Sequence, residues 1–136
     1  MTTGVGFPAN VENVEQLTDL AEQALDSGQE EAAIPAVRAG AEKLNRPILW
    51  HWLGLLQRSL DEHEEALASF ERAAFLKPNG PKIAQARAQT AMEAGLPAVE
   101  LFETALSLAP QDGSVIVGLA AARNASGDGE RRRSPG

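Results

Sequence analysis

Two thirteen-residue stretches, ALASFERAAFLKP at 66–78 and AVELFETALSLAP at 98–110, carry one pattern 32 residues apart: Ala, then Phe four residues on, Ala three further, Pro five further. Such self-similarity constrains a chain of 136 residues more than its composition does. The same supersecondary unit must be built at least twice and stacked on itself. Apolar positions three and four apart make that unit helical.

The echo extends outside these stretches. Before Ala66, the run LWHWLGLLQRSLDEHEE places Trp50, Leu53, Leu56, Gln57 and Leu60 at helical spacing. Asp61 with Glu64 reads as a capping box, which predicts a second helix from there to about Lys77, stopped by Pro78, Asn79, Gly80 and Pro81. Gly28, the Asp61-Glu62 pair, Gly95 and Gly127 recur every 32 to 34 residues, where the chain must reverse between helices. Upstream, Val14, Leu17, Leu20, Ala21, Ala24 and Leu25 make one apolar face, and Ala33, Val37 and Leu44 that of a partner helix. Downstream, helices are expected over 81–94, over 97–109 with Pro97 in its first turn, and over 112–125. The chain is therefore a series of helix pairs. One pair cannot bury its apolar face alone, so about three must stack into a continuous core. Ala66, Ala73, Ala98 and Ala105 allow close helix approach, while Phe70 and Phe102 fill the space between layers.

Composition agrees. The chain is 43% hydrophobic but only 4% aromatic, without tyrosine, and its apolar residues are mainly Ala and Leu, a helix-forming set. One compact unit is expected, flanked by a flexible segment at 1–11 and a disordered Arg-rich tail at 127–136. Nineteen acidic side chains face nine basic ones before Arg131, a balance that repels phosphate backbones and disfavours nucleic acid as a partner. The start, MTTGVGFPANVENVEQ, has no basic leader, and no apolar run is long enough to span a bilayer. A cytoplasmic protein with no membrane partner is the expectation.

No catalytic, cofactor-binding or metal-binding residue is expected. There is no cysteine, and neither the Gly-x-x-x-x-Gly-Lys-[Ser/Thr] nor the Gly-x-Gly-x-x-Gly phosphate loop occurs. His51 and His63 lack further ligands at recognised spacing, and Ser59 has no motif that would pair it with either histidine.

Trp50, Leu53, Gly54, Ala66, Phe70, Ala73 and Pro78 together resemble the tetratricopeptide repeat, with Gln57 in place of the usual aromatic. The second unit matches at Ala98, Phe102, Ala105 and Pro110. Its first helix is degenerate, with Ala84 and Ala88 in place of the large aromatic and the glycine, and the unit is two residues short. The first unit, about 12–46, is weaker, with Gly40 in a core position and Pro35 inside its second helix, where a proline should bend the helix or shift its start. The resemblance implies an all-α fold over 12–126, a right-handed α-solenoid of antiparallel helix pairs with about three units and a C-terminal helix. It also implies a non-catalytic protein-interaction module. Repeats of this kind resemble modules preceding bacterial catalytic domains, including sulfotransferase-like ones, so a regulatory or targeting segment of a larger enzyme is the alternative.

In this family the first helices line the concave surface. On the middle one, Ile48, Trp52 and Leu55 form a second apolar stripe beside His51 and Arg58. A surface helix needs only one such face, so the stripe either packs on neighbouring first helices or receives a partner protein or peptide. Glu15, Thr18, Glu22 and Asp26 on one side, and Lys82, Gln85, Gln89 and Met92 on the other, would flank it. Thr18, Glu22, Trp52, Gln85 and Gln89 stand where some relatives hold a partner's terminal carboxylate with cations and asparagine, so that clamp is missing. A homodimer is the remaining expectation, with Val115 and Leu119, left with no following helix, as its seam.

Overall fold

The computed structural model describes residues 13–125, which form seven α-helices and two compact units meeting at the Pro78/Asn79 bond. The first unit holds α1 (Val14–Ser27), α2 (Glu30–Leu44), α3 (Pro47–Ser59) and α4 (His63–Leu76). The second holds α5 (Pro81–Glu93), α6 (Val99–Leu108) and α7 (Gly113–Arg123). No strand occurs among the described residues. The expected segments at 1–11 and 127–136, and the turn at Gly127, lie outside them.

Local chemistry sets the helix ends. The Asn13 side chain accepts the Gln16 N–H at 2.7 Å and opens α1; Gly28, at φ 71°, closes it in the left-handed conformation that glycine adopts without a Cβ penalty. Pro47 and Pro81 begin α3 and α5, where a missing N–H costs nothing. Asp112 caps α7 by accepting from Ser114 and Val115 N–H at 2.9 and 3.4 Å.

In the first unit α1 packs on α2 and α3, α2 on α3, and α3 on α4. Leu17, Leu20, Val37, Leu49, Leu53 and Leu56 form its core. Close approach depends on two glycines. A Cβ on Gly54 would stand 2.6 to 2.8 Å from the Phe70 ring, and one on Gly40 would collide with the Leu17 side chain. In the second unit α6 packs on α5 and α7. Phe102, Ala105, Val115 and Leu119 are buried there, and a Cβ on Gly118 would strike the Phe102 ring.

Several expectations are corrected. The capping box at Asp61 and Glu64 does not form: Asp61 adopts a left-handed φ of 62°, Glu62 occupies the cap position without a side-chain hydrogen bond, and α4 starts at His63. An aspartate placed to tighten the turn is no longer placed to cap the helix. Pro97 lies outside α6, whose cap is Ala98. Pro35 lies inside α2, which continues from Glu30 to Leu44 around it, so of the two expected effects the start is not shifted past the proline. Val115 and Leu119 are 1% and 7% exposed, so they are no open seam; they face the core, and other residues of α7 face outward.

Candidate partner-binding site

Helix α3 carries the second apolar stripe because PILWHWLGLLQRS is apolar on more than one side. Its inward side, Leu49, Leu53, Gly54, Leu56 and Gln57, is buried. Gln57, the departure from the repeat pattern, accepts the Ser69 hydroxyl at 2.6 Å on its Oε1, joining α3 to α4 through a buried hydrogen bond.

The structure places five of the expected site residues on this helix. Ile48 is 39% exposed, and His51, Trp52, Leu55 and Arg58 are half-buried. The His51 ring lies 5.8 Å from that of Phe70 and 6.4 Å from that of Trp52, tilted to both. Trp52 packs against the core of the first unit, and its buried Nε1 has no hydrogen-bond partner among the described residues. Part of the stripe therefore serves packing, and Ile48 marks its open end. Glu22 is exposed on α1, which packs against α3. Lys82, Gln85 and Gln89 lie on α5 in the other unit, Lys82 exposed and the glutamines half-buried.

No group of three His, Cys, Asp or Glu among the described residues could hold a metal ion. The Ser59 hydroxyl donates to the Leu56 carbonyl at 2.8 Å, a helix-end bond. No described helix is long and apolar enough to cross a membrane.

A cluster that sequence reasoning missed stands at Trp50. Its indole N–H donates to Asn45 Oδ1 at 3.1 Å, the Arg72 guanidinium donates to the same oxygen at 3.3 Å, and Arg72 lies 5.9 Å from the centroids of both Trp50 and Phe75. Phe75 is 76% exposed. The signal was in the echo itself: Arg72 and Phe75 align with Thr104 and Ser107 of the second copy, so the repeat does not require them.

Residues 48–79 match the tetratricopeptide repeat family. The chain has a tetratricopeptide-repeat fold. No curated protein sequence matches it. Among solved structures, this chain is similar to MamA, with a TM-score of 0.79 at 22% identity over 91% of this chain and 73% of that one. It is also similar to the second such domain of human RPAP3, solved with an HSP70 peptide, with a TM-score of 0.73 at 21% identity over 79% of this chain and 92% of that one. The Yersinia enterocolitica type III secretion chaperone SycD, solved with a peptide of the translocator YopD, gives 0.72 at 20% identity over 82% and 92%. At such identities the likeness is one of tetratricopeptide-repeat fold.

Proposed function

We propose that the chain is a non-catalytic protein-interaction module, one repeat domain over 12–126, that receives a peptide or helix on the outward side of α3. The observation that carries this is the second apolar stripe, with Ile48 39% exposed at its end and Trp52 and Leu55 half-buried beneath it. RPAP3 and SycD, solved with peptides on the same fold, support the reading. Exposed Glu15, Glu22 and Asp26 on the adjoining α1 favour an amphipathic ligand with basic residues, charge setting its orientation and apolar contact its affinity. Lys82, Gln85 and Gln89, on α5 of the second unit, are proposed as partner-contacting residues of that unit. The same acidity argues against nucleic acid, and the proposed partners are proteins or peptides, a second copy included. The proposal places the chain in a bacterial cytoplasm, which cell fractionation checks.

The deciding experiment selects helical peptides from a displayed library against the wild-type chain and measures them by calorimetry. Ile48→Asp puts a charge at the exposed end of the stripe without entering the core, and should weaken binding at least about tenfold. Raised salt should weaken basic peptides further. Equal affinity for wild type and a folded Ile48→Asp chain would remove α3 as the site.

A further inference from the structure

Helix α7, GSVIVGLAAAR, carries no charged side chain before Arg123, and its outward side is apolar as well as its buried one. Val115, Gly118, Leu119 and Ala122 face the core of the second unit. On the opposite side Ile116 is 48% and Val117 69% exposed, with Ala120 and Ala121 exposed one turn on. A helix apolar all round is normally covered on all sides.

We propose that this face pairs with the same face of a second copy, the two α7 helices running antiparallel about a two-fold axis between Gly118 and Leu119. Two features of the stripe make it complementary to itself in that direction. The large residues come first and the small ones last, so Val117 of each copy faces Ala120 of the other, large into small, with Ile116 and Ala121 flanking that layer on its two edges. The charges lie at opposite ends: Asp112 at the start and Arg123 at the finish, so antiparallel pairing brings each acid beside a base. Arg123 is bound to Glu103 at 3.1 Å on the surface, 54% exposed, and such a pair leaves its charge available to a neighbour at little cost. A two-fold contact uses one patch twice and closes as a dimer. Eleven helical residues extend only about 16 Å, so the contact is smaller than a standard interface and the dimer is a weak one.

The test is sedimentation equilibrium on the whole chain from about 10 µM to about 1 mM, the range expected of so small a contact. The wild type should pass from monomer to dimer across it. Val117→Glu, a change at an exposed position, should keep the thermal unfolding of the wild type and weaken dimerisation at least about tenfold, because each copy would bring a carboxylate into an apolar contact. The chain has no cysteine, so Val117→Cys and Ala120→Cys give unique thiols; mixed together they should cross-link faster than either alone. A 14.4 kDa monomer throughout, a dimer indifferent to Val117→Glu, or no advantage for the mixture would each overturn the proposal.

Discussion

At the scale of single residues, the repeat rests on glycines pressed against phenylalanines. Gly54 lies under Phe70 and Gly118 under Phe102, so adding one methyl group at either position forces a ring to move inside a packed interior. Gly54→Ala should destabilise the chain by about 1 to 3 kcal/mol, whereas Gly113→Ala, with nothing near the added carbon, should be neutral or stabilise slightly. Thermal unfolding of the two variants side by side checks this. Gln57 gives a second prediction. Ser69→Ala leaves the Gln57 amide oxygen buried without its donor and should cost about 1 to 3 kcal/mol. Adding Gln57→Leu should recover part of that loss, since no polar group is then left unpaired. Denaturant unfolding of the single and double variants measures the coupling. The sequence marked Gln57 only as a departure from the repeat pattern. Its reason was not legible because the partner, Ser69, is twelve residues away and aligns with Leu101 in the other copy.

At the scale of helices, spacing and turn chemistry located all seven elements, and the misses fall at their ends. Apolar period says which residues face inward but not which residue caps, and Asp61 served the turn instead of the helix. Pro35 is the element with most to gain. It is exposed, stands six residues into α2, and leaves the Glu31 carbonyl without its intrahelical N–H donor. Pro35→Ala should therefore stabilise the first unit by up to about 3 kcal/mol, read as a rise in melting temperature. An unchanged or lower value would mean that the proline sets the path of α2 into the core.

For the whole molecule, the sequence read as one compact unit, yet the described chain divides at Pro78/Asn79. The repeat period is blind to such a division because it records helix spacing and not how much each pair buries. The first unit buries seven large aliphatic side chains among α1, α2 and α3; on α5 to α7 most of the buried apolar residues are alanines, each removing less apolar area from water. Amides of α1 to α4 should consequently exchange hydrogen more slowly than those of α5 to α7 in the native state, and uniform protection would contradict that division of stability. The candidate site was legible in part: the second stripe on α3 was visible as surplus apolar character, but which of its residues stay open depends on packing that no spacing encodes. Helix α3 also holds both tryptophans of a chain without tyrosine, one beneath a guanidinium and the other with a buried indole N–H that finds no acceptor among the described residues. Ultraviolet emission from this protein is thus a broadcast from one helix: a peptide arriving on α3 should alter its colour and intensity without any label.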